Sequence, residues 1–246
     1  MCGHAIIALA KMALDTGIIE KKGNDPEIII DTPAGRIKVK AHREKGRVLQ
    51  VSFLNVPSFV YLKDQRVYVP DLGWVNYDIA FGGAFYAFCE AKELDVVLKP
   101  EHHDRLIHLG RSIKKAVMDS VNIKHPFEEE LGFLYGTIII GPPEKPSNHS
   151  RNVCVFAEGE VDRSPTGTGV SARAALHYSR GEVGIGSPMV IESIIGTEFQ
   201  VRIKEVTKFG PYSAVIPEVT GSASITGENK FYFDPDDPLK EGFILR

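Results

Sequence analysis

Residues 161–182, VDRSPTGTGVSARAALHYSRGE, pass from a proline- and glycine-rich turn into a helical pattern that stops at Gly181, with Thr166 at the junction. The chain's first residues, MCGHAIIALAKMALDTG (Met1 to Gly17), repeat the arrangement. Cys2-Gly3-His4-Ala5 and Thr166-Gly167-Thr168-Gly169 each set a polar, nucleophile-type residue before a glycine, a polar residue and a small one. The helix-ending glycines match too: Gly17 lies 15 residues past Cys2, and Gly181 lies 15 past Thr166. Two related helices, each the centre of its own lobe, are predicted from this repeat.

The surrounding patterns extend that reading. Ile6, Ile7, Leu9, Ala10, Met12, Ala13 and Leu14 are dense enough for a buried core helix, while the stretch from the Thr166 turn to Gly181 reads as an amphipathic one. Short β-branched and aromatic runs follow the first helix: EIII, RIKVKA, VLQVSFL, SFVYL, RVYV, YDIAF and AFYAF. Helical spacing returns in KPEHHDRLIHLGRSIKKAVMDSV, with Pro100 suited to a first turn. Beyond it lie LYGTIII and NVCVFAEG, then, after the Thr166 helix, EFQVRIKEV, YSAVIP, SASITG and KFYFD, all strand-like. The expected class is α+β with two lobes, each a mostly antiparallel sheet wrapped around a central helix. Residues 1–95 form what remains of the first lobe, and 96–246 the linker helix and second lobe, the last segment returning towards the first.

Composition narrows the function. With 246 residues, 43% hydrophobic, the chain can bury a full core. A net charge of -3 leaves no basic excess for phosphates, and there is no lysine-arginine stripe, so nucleic acid is not an expected partner. No apolar run reaches membrane-spanning length, so no membrane association is expected either. Cys2, Cys89 and Cys154 cannot all pair and show no CxxC spacing, which points to a reducing, cytoplasmic setting.

A helix N-terminus offers unpaired N–H groups and a partial positive charge, and glycine beside it lets a ligand approach the backbone. Two such ends facing each other would clasp a carboxylate. The same field favours the thiolate of a cysteine placed there, so Cys2 is the candidate base, with Thr166 on the opposite side of the bound acid.

MCGHA, YDIAFGGAFYAF, VDRSPTGTGVSARAAL, AVIPEVTGSASITG and DPDDPLKEGFILR together resemble the proline racemase family over nearly the whole chain. The resemblance implies a diaminopimelate epimerase-like two-lobed fold and chemistry without a cofactor or metal. It also implies a small cyclic amino acid as substrate and a homodimer. Such racemases place one cysteine on each face of the substrate α-carbon; here Thr166 stands in the second position, and a hydroxyl is too weak a base for that role. The Cys-plus-Thr pair is similar to the trans-3-hydroxy-L-proline dehydratase branch, which forms Δ1-pyrroline-2-carboxylate. By this resemblance Cys2 takes the α-proton, while Gly3, His4, Gly167 and Thr168 contact the carboxylate and Asp162 pairs with the ring ammonium. Thr166 is expected to hydrogen-bond the departing hydroxyl or a water that protonates it. Proline racemisation, 4-hydroxyproline epimerisation and an inactive amino-acid-binding fragment are the competing expectations. The last arises because family members carry strands before MCGH, which would leave the first lobe incomplete and one side of its helix uncovered.

Other motifs have plainer readings. GTGVSA, Gly167 to Ala172, fits a dinucleotide fingerprint but lacks surrounding alternating strand-helix units. His102, His103 and Asp104 are consecutive and cannot face one metal. DPDDP lacks the glycine and glutamate spacing of a calcium loop and reads as a turn. Cys89 and Cys154 read as core residues, Arg163 as structural, and Asp162 competes with a helix-preceding turn role.

Overall fold

A computed structural model describes residues 2–243. The two matched helices are α1 (Gly3–Asp15) and α3 (Gly167–Ser179), both 13 residues long. Each is capped by a right-handed residue, Thr16 or Arg180, and followed by a glycine in the left-handed region, Gly17 at φ 76° and Gly181 at φ 71°. The sequence repeat is thus a repeat of helix length and stop signal.

Among the described residues, twelve strands make one continuous sheet. They are β1 (Glu27–Thr32), β2 (Gly35–Glu44), β3 (Arg47–Leu54), β4 (Ser58–Val69), β5 (Gly73–Phe81), β6 (Phe85–Glu90), β7 (Leu134–Gly141), β8 (Ser150–Phe156), β9 (Glu160–Val161), β10 (Pro188–Glu192), β11 (Glu198–Phe209) and β12 (Tyr212–Gly221). The order β12-β11-β10-β8-β7-β6-β5-β4 closes on itself where Phe59 and Ser58 of β4 pair with Ala214 and Val215 of β12. The result is an eight-stranded barrel with α3 as its axis. Every residue from Gly167 to Leu176 is buried, so the helix expected to be amphipathic has no wet side over its first ten residues. Small residues make that possible: Gly82, in the β5–β6 turn, runs so close to α3 that a Cβ there would lie 2.2 Å from the Thr168 carbonyl oxygen.

The edge of β12 that meets β4 at Ala214 and Val215 pairs further along, at Glu218 to Gly221, with β3, which β2 and β1 follow in antiparallel order, and α1 lies on this extension. Ile6, Ile7, Ala10 and Leu14 pack with Ile37, Val39, Val51 and Phe53. The opposite side of α1 is not covered in the same way, since Leu9 is 48% exposed; the core helix expected from composition is buried on one face only. A barrel around α3 and a smaller sheet against α1 constitute the two-lobed α+β architecture. The sheet runs across the position between residues 95 and 96, because β6 pairs with β7 in parallel, and β4 to β6 stand in the barrel around α3. Between them α2 (His103–Ser120) packs outside the barrel through Leu106, Leu109, Ile113 and Val117. Among the described residues no helix is long and apolar enough to cross a membrane.

Several local expectations change. SFVYL and RVYV are one strand, β4, and β10 had no counterpart in the sequence reading. SASITG (222–227) and KFYFD (230–234) are not strands: no strand among the described residues pairs with them, and Phe231, Tyr232 and Phe233 are about four-fifths exposed. Residues 223–227 instead run beside Ala8, Leu9 and Met12 of α1. In DPDDP, Asp234 and Asp237 accept backbone N–H bonds from Asp236 and Leu239, consistent with turns. Met1 and Ile244 to Arg246, at the ends of two quoted motifs, lie outside the described residues.

The β8–β10 seam of the barrel is fixed by a buried ion pair, Arg151 with Glu192, at 2.7 Å. Burial opposes the charge on Glu192. The N–H groups of Glu144 and Lys145, Asn148 and Arg151 outweigh it and hold its pKa at about 2. A depressed carboxylate contributes stability above its unfolded value near 4.5 and loses it as pH falls towards 2, here about 3 kcal/mol in all. Less than half of it should remain near pH 3. Urea unfolding at pH 7 and pH 3 is expected to show this loss in the parent chain, and a smaller pH dependence, from a lower starting stability, in Glu192→Gln.

Candidate active site

The starts of α1 and α3 meet. A Cβ built on Gly3 would lie 2.8 Å from the Gly167 Cα, and one built on Gly167 would lie 2.9 Å from the Gly3 Cα. Only two glycines allow backbones this close. The N–H groups of Gly3, His4, Gly167, Thr168 and Gly169 find no acceptor among the described residues, whereas Ile6 and Val170 already bond back to Cys2 and Thr166. Two positive helix ends in contact repel each other unless an anion shares their donors, so the arrangement suits a carboxylate.

Cys2 caps α1 in an extended conformation, φ -119° and ψ 111°, is exposed, and spends no side-chain bond on the cap. His4, one residue into the helix, sets its ring edge-on to Phe199 of β11 at 5.6 Å. Thr166 occupies the matching position on α3 in a different backbone state, φ 68° and ψ 98°. A β-branched residue with positive φ is strained by about 1–3 kcal/mol and persists only where neighbours fix it. They do so here. Ser164 Oγ accepts the Thr166 N–H at 3.1 Å, Asp162 Oδ1 accepts the Ser164 N–H at 2.7 Å, and Asn152 Nδ2 donates to the Pro165 carbonyl at 3.1 Å.

The Thr166 hydroxyl donates to Asp162 Oδ2 at 2.9 Å. Asp162 is therefore both the turn-forming residue of the plainer reading and a carboxylate at the helix start; two accepted bonds leave further lone pairs for a cation. Arg163 is exposed, and its carbonyl accepts a bond from Thr197. Thr168 bonds Tyr86 of β6 through their hydroxyls at 2.7 Å. Of the sequence-predicted residues, Gly3 and Gly167 are in contact, with Cys2, His4, Thr166 and Thr168 as their immediate neighbours in the chain. Asp162 joins them through Thr166.

Sequence reasoning did not select Tyr86, Ser164 or Asn152. Tyr86 lies in the quoted FGGAFYAF run, but only a bond spanning 82 residues reveals what it touches. Ser164 and Asn152 act on backbone atoms of the turn and leave no spacing signal. Cys89 and Cys154 are buried, and burial pushes both thiols well above the ordinary range, in keeping with core positions. A cavity of about 320 Å³ opens towards the other end of α3, lined in part by Asp78, Glu90, Arg173, His177 and Arg180, away from the paired helix starts. There burial lowers His177 to about 4, and neutral His177 accepts a bond from Arg173 at 3.0 Å.

The sequence profile of the proline racemase family matches residues 1–244. The chain is 48% identical over 246 residues to the trans-3-hydroxy-L-proline dehydratase of Colwellia psychrerythraea, covering all of this chain and 69% of that protein. It is 43% identical over 246 residues to the proline racemase of Acetoanaerobium sticklandii, covering 73% of that protein. Among solved structures, a hydroxyproline epimerase from Agrobacterium vitis with bound trans-4-hydroxy-L-proline superposes with a TM-score of 0.92 at 31% identity, over all of this chain and 70% of that one.

Proposed function

The chain belongs to the proline racemase family, and we propose that it dehydrates trans-3-hydroxy-L-proline to Δ1-pyrroline-2-carboxylate without a cofactor. The observation that carries this reading is the unequal pair at the joined helix starts, one thiol at Cys2 and one hydroxyl at Thr166 already bonded to Asp162. Its similarity to the Colwellia psychrerythraea dehydratase supports the same choice.

In this reading the substrate carboxylate sits on the N–H groups of Gly3, His4, Gly167 and Thr168, and the ring ammonium on Asp162. Negative charge moves towards the carboxylate as the α-proton leaves, so these fixed donors stabilise the transition state; losing one typically costs about 3 kcal/mol. The Cys2 thiolate takes the α-proton. In a trans-3-hydroxy-L-proline ring the 3-hydroxyl and the α-hydrogen are on the same face, so the hydroxyl departs on the Cys2 side. The thiol just formed is placed to return its proton to that oxygen. The electron pair of the broken C–H bond forms the ring double bond, water leaves, and the enamine tautomerises to the imine.

Thr166 then has a different part from donation to the leaving group. Its one hydroxyl proton is committed to Asp162, and on the opposite face it supplies no base or acid strong enough to reprotonate the α-carbon. Elimination proceeds because inversion has no proton source. The same reading includes a cytoplasmic setting and a homodimer, and light scattering measures the second of these directly.

The test is incubation with trans-3-hydroxy-L-proline, 4-hydroxyproline and proline in deuterium oxide, followed by proton spectra and chiral chromatography. Water loss to the imine is expected from the first substrate alone. Inversion with deuterium uptake at the α-carbon would instead identify a racemase or epimerase, and binding without turnover an inactive fold. Thr166→Cys is expected to add a base on the second face and yield α-inverted 3-hydroxyproline beside the imine. Dehydration with no trace of inversion in that variant would overturn the role given to Thr166.

A further inference from the structure

Tyr86 and Thr168 are each 1% exposed, and their hydroxyl oxygens are 2.7 Å apart. Two hydroxyls carry two protons, but the bond between them uses one. Neither side chain has another hydrogen-bond partner among the described residues, so one buried proton is left without an acceptor. Such a donor is costly in a protein interior and marks a place where something else completes the set.

The position of the pair decides which proton is left. Tyr86 projects from β6 into a barrel cluster with Ala80, Ile138, Ala172 and Leu176, where its surroundings are apolar. Thr168 lies in the first turn of α3, beside N–H groups that also lack acceptors. The geometry points to a directed relay: Tyr86 donates to Thr168 Oγ1, and Thr168 in turn presents its proton to the carboxylate of the bound amino acid. Tyr86 is thereby a positioning residue that never touches substrate. The inference rests on the carboxylate placement proposed above. Burial keeps the Tyr86 phenol protonated well above its ordinary range, so the donor persists throughout the working pH.

A relay of this kind has a recognisable kinetic consequence. Hydrogen bonds in series polarise one another, and the demand on them grows as charge moves onto the carboxylate during α-proton removal. Removing the first donor therefore weakens the transition state more than the ground state.

Tyr86→Phe is expected to lower kcat about tenfold with KM changed by less than about twofold. The planar analogue pyrrole-2-carboxylate, whose ring carbon bearing the carboxylate is trigonal like that of the enamine, should lose affinity by a similar factor while L-proline binding changes little. Thr168→Val should cost more, and adding Tyr86→Phe to it should cost nothing further. Thr168→Ser, which keeps the hydroxyl, should retain the Tyr86 effect. Tyr86→Phe with wild-type kcat, or equal losses of Tyr86→Phe in the presence and absence of the Thr168 hydroxyl, would overturn the relay while leaving the dehydratase reading intact. If the parent chain binds pyrrole-2-carboxylate but does not dehydrate, the binding arm of the same cycle still decides the relay. Absence of both turnover and binding overturns both.

Discussion

Replacing Cys2 by serine should lower dehydration of trans-3-hydroxy-L-proline by about a thousandfold or more, with the fold unchanged. A positioned general base contributes roughly 10²–10⁴ in rate, and a serine hydroxyl, which ionises far above neutral pH, cannot take over the α-proton. The effect should be clean because Cys2 is exposed and its side chain makes no capping bond to α1. Serine is a good N-cap residue, so helix stability should hold or rise slightly. Since Cys2 is also assigned the return of the proton to the leaving hydroxyl, an added thiol or amine base should rescue proton abstraction poorly. Initial rates of imine formation, measured with circular dichroism and a thermal melt on the same samples, are the check. A Cys2→Ser enzyme within tenfold of the parent rate would remove Cys2 as the base. A Cys2→Ser enzyme that is inactive and also unfolded would leave Cys2→Ala, with the same melt criterion, to decide.

The repeat that opened the sequence was informative because it is written in short-range chemistry. A glycine after Cys2 and after Thr166, and another 15 residues beyond each, specify two helices of one length, and both stops take the left-handed geometry that glycine favours. What local pattern does not encode is closure. Nothing in SFVYL or YSAVIP states that β4 returns to β12, and that pairing turns an apparently amphipathic helix into one surrounded on all sides. The same limit applied at the chain's end, where KFYFD has the alternation of a strand but no neighbour to bond. At the site, the resemblance carried by the sequence sets Thr166 where the family has a second cysteine. Its positive φ and its proton's commitment to Asp162 were not legible there, and with the stereochemistry of the substrate they support the part we propose for it, a face that offers no proton, in place of helper of the leaving group.

The contact between Gly3 and Gly167 leads to the other large effect. Alanine at either position would bring a methyl group to 2.8 or 2.9 Å from the partner's Cα, and backbone cannot swing aside as a flexible side chain can. Ordinary contact starts near 3.4 Å or more, so the two helix starts must part by a substantial fraction of an ångström. Misplacement on the scale of 1 Å can cost on the order of 10²-fold in a reaction that depends on oriented groups, and here it also separates the donors assigned to the carboxylate. Gly3→Ala and Gly167→Ala should therefore each lower kcat/KM by about a hundredfold. Helix propensity runs the other way, since alanine favours a helix over glycine by up to about 1 kcal/mol, and neither glycine has a positive φ. A loss thus reports the contact and not the helix. Gly181→Ala supplies the contrast: its φ of 71° makes alanine strained, but no atom lies near its Cβ, so it should lower the melting temperature while kcat/KM stays close to the parent value. The two contact variants combined should cost less than the product of their separate effects, because once the helix ends have parted the second methyl meets little. If Gly3→Ala and Gly167→Ala both keep parent activity, the two ends do not work in contact, and a carboxylate clasped between them is the wrong picture of the site.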